Sequence, residues 1–472
     1  MTGADADAAG DAAADPGGSS TPVTADLVIA DLVIEDVTAL VHGVDGAISF
    51  LDHATIVVTN GAIASVSAGV PAGSVAATER IRASGRLAMP GFINCHTHSP
   101  MVMFRGAAED IPIERWFNDF IWPMEVNMTD DDVEVAARLA AAEMIQSGVT
   151  TFADHYFSMP TIARVVDETG LRANLGSTFF SSDSTGLETS LDFALTHRGA
   201  AGGRITTSLA PHAPYTVTDA DLALTAAAAL ANDLMIHVHA GETRKQTHQT
   251  RDRRGKTPVQ ILADTGILHA RTLIAHGIGI MPEDSVALLA AADHVGVATA
   301  PRGYLKETAD TTPVRLLESL GVAVGLGTDG AASNNTLDVW ESMTFLTLVQ
   351  KAFEGDPTWL TSEHALRIAT LGSARAIGLA GVIGSLAPGH RADIVLVDLD
   401  NARSQPIHSM ANTIVHAARS SDVVTTIVDG RILMLERQLT TIDLPAVIAD
   451  LRPRLDRLTE RDHGESLQSY GI

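Results

Sequence analysis

Four short segments each close an apolar, β-like run with a residue able to ligate a metal: His96-Thr97-His98, His239-Ala240-Gly241-Glu242, His276 and Asp329. They lie far apart in sequence, so one site requires a fold that gathers distant strand ends. In a (β/α)8 barrel every strand C-terminus opens at the same mouth. The constellation therefore predicts an α/β, TIM-like barrel together with a single hydrolytic metal site.

The first run, Leu87 to His98, is bounded by Pro90-Gly91 and ends in two histidines spaced i, i+2. On a strand that spacing sets both imidazoles on one face. The second, Leu234 to Glu242, ends His237-Val238-His239 with a carboxylate three positions on. A zinc or iron ion takes a neutral imidazole, and a nearby acid can handle protons without ligating. His237 is read as the structural member of that trio. Thr272 to Gly277 and Val322 to Gly330 each place one polar residue, His276 or Asp329, at the end of an apolar run. Any one of these could be a satisfied core residue. Their recurrence at four strand ends points to a site.

At 472 residues the chain can bury a large core, enough for a barrel and a smaller accessory unit. Charged residues make up 19%, and no apolar run approaches the ~20 residues a membrane span requires. A net charge of −25 argues against nucleic acid or an acidic membrane as partner, because that field repels phosphate, and leaves a neutral or cationic small molecule as the expected substrate. Cys95 is the lone cysteine, read as a packed small residue, so no intrachain disulfide can form and a cytoplasmic setting is expected.

The pattern divides the chain into a disordered acidic tail over 1–25, a β-sandwich from 26–88 plus 385–440, a barrel over 89–384, and a C-terminal helix within 441–472 packed on the outside. Short strands are predicted over Leu27 to Ile34, Ala47 to Phe50, Thr55 to Thr59 and Ala62 to Ser67, with Asn60-Gly61 as a hairpin turn. The same grammar returns at Ala392 to Asp398 and Val424 to Arg431. Between them helices alternate with strands. Asp130 to Gln146, capped by Thr129, precedes Thr150 to Ala153, and Asp219 to Asn232 precedes Met235 to His239. Several helices open on proline, as at Pro258, Pro282 and Pro313. Leu444 to Arg461 is predicted to be amphipathic.

The strings Pro90 to His98, Phe104-Arg105-Gly106, Ile121 to Glu125, Ser147 to Asp154, Pro211 to Tyr215 and Gly327 to Asn335 resemble the amidohydrolase superfamily. Within it the likeness is to the branch holding adenosylhomocysteine and methylthioadenosine deaminases, guanine deaminases and triazine hydrolases, over about residues 26 to 440. The resemblance implies His96, His98, His239 and Asp329 as metal ligands, with Glu242, His276 and Asp329 as catalytic groups around a metal-activated water. It also places Trp116, Glu125, His212 and Ser333 near the substrate. Two-metal members bridge their ions with a carboxylated lysine on an intervening strand. The lysines here are Lys245, Lys256, Lys306 and Lys351, none in that place, so one divalent ion per subunit is expected, zinc first and iron as the alternative. Relatives of this branch are commonly dimers or tetramers, which implies a homo-oligomer.

Two departures bear on the substrate. Ser177 and Leu187 stand where adenosylhomocysteine deaminases carry two arginines for the amino-acid carboxylate. Thr299-Ala300-Pro301-Arg302-Gly303-Tyr304-Leu305-Lys306 replaces a His-Asn-Pro-x-Ser-Asn-Leu-Lys-like string, bringing Arg302 and Tyr304 to the expected pocket edge. Three readings remain open: a deaminase of an aminated heterocycle such as a purine, pterin or deoxyadenosine-like compound; a hydrolase of a triazine substituent, aryl urea or amide; and an inactive scaffold.

Overall fold

The computed structural model describes residues 29–307 and 309–460, so the expected acidic tail at 1–25 lies outside the described residues. Eight parallel strands form one sheet: β1 (Phe92–Thr97), β2 (Val149–Tyr156), β3 (Arg172–Phe179), β4 (Ile205–Pro211), β5 (Met235–Ala240), β6 (Thr272–His276), β7 (Val295–Thr299) and β8 (Ala323–Leu326). Each pairs with its sequence neighbours. Backbone N–H groups of Thr328 and Asp329 both donate to His96 O, at 3.2 and 3.0 Å, joining the end of β8 to β1. The circle is thereby closed, as the recurring strand ends require.

Every residue of β1, β2, β5, β6, β7 and β8 is buried, which is why these strands read as continuous apolar runs rather than as alternations. Helices cover the outside. Asp130–Gln146 is capped reciprocally: Asp132 N donates to Thr129 Oγ1, and Thr129 N donates to Asp132 Oδ2 at 2.8 Å. Trp340, on Val339–Glu354, sets its ring 5.2 Å from that of Phe92 at the base of β1 and donates Nε1–H to Ile414 O.

The second sheet draws on both chain ends. Ala30–His42, Ile48–Thr59, Ala62–Ala68, Ala77–Arg82 and Arg86–Pro90 pair with one another and then, through Arg86–Pro90, with Ile394–Asp398, Val423–Val428, Arg431–Leu435 and Gln438–Leu439. At the Asn60-Gly61 hairpin both residues take positive φ, 51° and 70°. The two separate expectations at Ala47 to Phe50 and Thr55 to Thr59 are one long strand, because the polar Asp52 and His53 between them lie in the exposed part of a continuous run.

Gly91 joins the sheets. It follows Pro90 at the end of one strand and precedes Phe92 at the start of β1, and a Cβ there would lie 2.1 Å from Thr150 Cγ2. Only glycine fits that approach. Beside it the Arg172 guanidinium is buried against Asp393, at 2.8 Å, and Asp429, at 3.0 Å. Both carboxylates belong to the second sheet side, so the pair clamps it to the barrel floor, opposite the mouth. The C-terminal segment runs as a helix over Leu444–Leu451, narrows to a 3-10 turn at Arg452–Arg454 and resumes at Leu455–Leu458. Pro453 interrupts the predicted single helix because it lacks the N–H that a continuous ladder needs. Among the described residues, no helix is long and apolar enough to cross a membrane.

Candidate active site

The C-terminal ends of the barrel strands deliver the polar groups. β1 supplies His96 and, one residue beyond, His98; β5 supplies His239; β6 ends in His276; Asp329 follows β8. The ligating atoms of His96, His98 and His239 lie within 4.8 Å of one another, and so do those of His96, His276 and Asp329. Asp329 Oδ1 is 3.5 Å from His96 Nε2 and 3.3 Å from His98 Nε2, while His98 Nε2 and His239 Nε2 are 3.4 Å apart. His276 and Asp329 both hold positive φ, 75° and 62°. For residues other than glycine that is a costly conformation, sustained here by the strand-to-loop turns at the mouth.

The outer nitrogens of three imidazoles are engaged. His98 Nδ1 lies 2.6 Å from His155 O, His239 Nδ1 lies 2.8 Å from His212 O, and His96 Nδ1 lies 2.9 Å from His237 Nε2. These partners fix ring orientation and turn each Nε2 inward, the arrangement by which metal-binding histidines are held. His237 is thus a supporting residue behind His96, in line with its structural reading. His96 Nε2 is buried and has no hydrogen-bond partner, an unusual cost for an imidazole nitrogen. Burial also holds His239 well below its ordinary range, so it is a neutral donor. A convergent set of three imidazoles with one carboxylate, its innermost nitrogen unsatisfied, fits a divalent cation. No lysine lies on β4, between the first histidine pair and His239.

Above this cluster opens a cavity of about 470 Å³. Glu242 lies on its wall, accepting from Tyr215 OH at 2.8 Å. Burial pushes its carboxyl up to about 7 against the opposing hydrogen bond of Tyr215. Glu125 accepts from Tyr156 OH, and burial likewise pushes it up to about 7. His212 sets its ring 4.9 Å from that of His239 and 4.8 Å from Phe180, with Nδ1 held by Thr216 Oγ1. Burial drives its pKa down to about 3, so it stays neutral. Trp116 lines the same cavity. Tyr304 places its hydroxyl 3.4 Å from His276 Nδ1, and Ser333 Oγ donates to Asp329 Oδ2 at 2.8 Å.

Arg302 is the exception. It does not line the cavity; its guanidinium pairs with Glu341 at 3.2 Å and donates to Asn334 O. The first turn of Pro301–Lys306 directs neighbouring residues to different sides, so Gly303 and Tyr304 face the cavity while Arg302 braces the loop after β8. Neither Ser177 nor Leu187 lines the cavity.

Residues matching the amidohydrolase family run from 87 to 433. The chain belongs to the amidohydrolase family. Over 442 residues this amidohydrolase is 39% identical to the 5-methylthioadenosine/S-adenosylhomocysteine deaminase of Pelotomaculum thermopropionicum, covering 92% of this chain and 100% of that one. A crystal structure of an adenosine deaminase from Xanthomonas campestris with bound zinc superposes with a TM-score of 0.86 at 30% identity, covering 91% of this chain and 98% of the other. The zinc-complexed atrazine chlorohydrolase of Arthrobacter aurescens TC1 shares the fold, with a TM-score of 0.80 at 21% identity over 90% and 100% of the two chains.

Several cavity residues escaped the sequence reading. His155, at the end of β2, obeys the rule that revealed the other histidines, a polar residue closing a buried strand, and was legible by it. Its Nδ1 is 2.7 Å from Thr178 Oγ1. Tyr156, Phe157 and Phe180 form an aromatic wall that no local pattern distinguishes from core.

Proposed function

We infer that this amidohydrolase is a metal-dependent hydrolytic deaminase that replaces an amino group on a heterocycle by oxygen and releases ammonia, with zinc as its ion. The carrying observation is the pairing of a buried carboxyl near neutrality, Glu242, with an inward-facing His3Asp donor set at the foot of one cavity. His96, His98, His239 and Asp329 would hold the ion, which when bound acidifies water so that a nucleophile is available near neutral pH.

The chain's own groups divide the remaining work. Protonated Glu242 donates to a ring nitrogen, withdrawing electrons from the carbon under attack, and the tyrosine at 2.8 Å keeps the carboxyl aimed. His276, neutral because burial pushes it down to about 3, accepts a proton beside Asp329. Ser333 fixes the Asp329 rotamer. His212 meets the ring edge, Trp116 and the Phe157 and Phe180 wall cover its faces, and Glu125 receives hydroxyls of an attached sugar. The deaminase names of the relative and the zinc-bound neighbour support the same reading.

Ammonia release from a panel of aminopurines, their nucleosides, aminopterins, aryl ureas and amino-triazines, with chloride release followed for chloro-triazines, tests it. Release from the aminated purines or pterins is expected. Turnover of the ureas or triazines alone would assign the site to a different hydrolysis.

A further inference from the structure

Among the described residues, four carboxyl side chains line the cavity: Glu125, Glu242, Glu307 and Asp329. Three have defined partners. Tyr156 holds Glu125, Tyr215 holds Glu242, and Ser333 with the histidines holds Asp329. Glu307 has no side-chain hydrogen bond or ion pair among the described residues, and its neighbour Lys306 turns instead to Glu109 and Asn335. Among the described lining residues Lys245 is the one lysine, and none is an arginine.

Glu307 follows Pro301–Lys306, the helix that opens at the departing string after β7. Its backbone N–H donates to Gly303 O at 3.0 Å, which ends the helix at the cavity wall and presents the side chain there. Burial, with Asp329 and Glu242 nearby, pushes its acid up to about 8. Such a group costs free energy until a donor or cation reaches it.

We propose that Glu307 is a specificity-determining residue that receives a cationic or N–H-donor appendage on the aminated heterocycle and disfavours substrates carrying a carboxylate. The proposal rests on the deaminase reading above and narrows its substrate class. The arrangement makes sense of two facts together: an acidic cavity wall, and the absence, among the described residues of that wall, of any arginine fork for an amino-acid carboxylate.

The test compares kcat/KM for ammonia release from three purine nucleosides of one scaffold: 5′-amino-5′-deoxyadenosine, adenosine, and adenosine-5′-carboxylate. The wild-type holoenzyme should prefer the amine to the carboxylate, since a bound ammonium stabilises the ionised form of Glu307 and makes a charge pair that a carboxylate cannot, and such a pair in a partly dry cavity readily shifts the ratio by about tenfold. Glu307→Gln should lower the amine-to-carboxylate ratio by about tenfold, and Glu307→Lys should lower it further or invert it. A general structural disturbance would depress all three substrates together and leave the ratio in place. Ammonia from adenosine with a ratio unmoved by either variant overturns the role of Glu307 alone. No ammonia from any of the three overturns the nucleoside-deaminase reading and this inference with it.

Discussion

Tyr215 donates its phenolic hydroxyl to Glu242 Oε1 at 2.8 Å, tying the loop after β4 to the loop after β5 across the cavity wall. The bond opposes the burial that raises the Glu242 carboxyl to about 7. If protonated Glu242 is the active form, activity is full below that value and declines as pH rises through it. Tyr215→Phe removes a stabilising contact to the carboxylate, so the alkaline limb of the kcat/KM profile moves to higher pH. The maximal rate falls about tenfold through loss of aim. A profile of kcat/KM against pH for both proteins measures the displacement.

Glu242→Gln keeps the shape and removes the transferable proton. Ammonia release should fall by at least about 10²-fold. Metal content, measured by elemental analysis, should stay at the wild-type level, because Glu242 is absent from the convergent ligand set. His98→Ala, by contrast, should lose both.

Arg172 is buried against Asp393 and Asp429, and Asp429 N also donates to Asp393 Oδ1 at 2.9 Å. Arg172→Ala leaves the buried Asp393 carboxylate without its guanidinium beneath the barrel, while Asp429 keeps its pair with Arg391. The expected loss is about 3–5 kcal/mol, read from the denaturant midpoint, the range for breaking one partner of a buried pair.

Asp132 caps Asp130–Gln146 and receives Arg454 Nη1 at 2.9 Å and Arg457 Nη2 at 2.7 Å from the C-terminal helices. Burial pushes its carboxyl up, but the bonds from Arg457, Thr129 and Arg454 outweigh it and hold the group well below the ordinary carboxylate range. Its stabilising contribution is therefore complete above the ordinary value of 3.8 and is lost as pH falls below it. Asp132→Asn should cost about 1–2 kcal/mol at pH 7, a modest figure because the arginines are partly solvated and Asn still caps. The difference from wild type should shrink below pH 4, where thermal unfolding of the two proteins is compared.

Much of this architecture was legible because each candidate metal ligand, and His276, stands at or just beyond the end of a buried strand. His96, His98, His239, His276 and Asp329 stand out by being polar where an apolar run stops, and the barrel follows from asking how such ends could meet. Local signals also marked Thr129 as a cap and Asn60-Gly61 as a turn, since those conformations depend on the residues themselves. Side-chain direction is another matter. The string from Thr299 to Lys306 announces a remodelled pocket edge, yet whether Arg302 or Glu307 faces the cavity depends on the start and pitch of a six-residue helix and on Glu341 nearby. The Tyr215–Glu242 and Tyr156–Glu125 bonds join residues that only the closed barrel brings together.

The most direct test removes the ion with a chelator, verifies its loss by elemental analysis, and follows ammonia release from an aminated purine while zinc is added back. No release is expected from the metal-free protein, with recovery that levels off at one zinc per chain. Full ammonia release from protein shown to be free of metal would rule out a metal-dependent hydrolysis at this site.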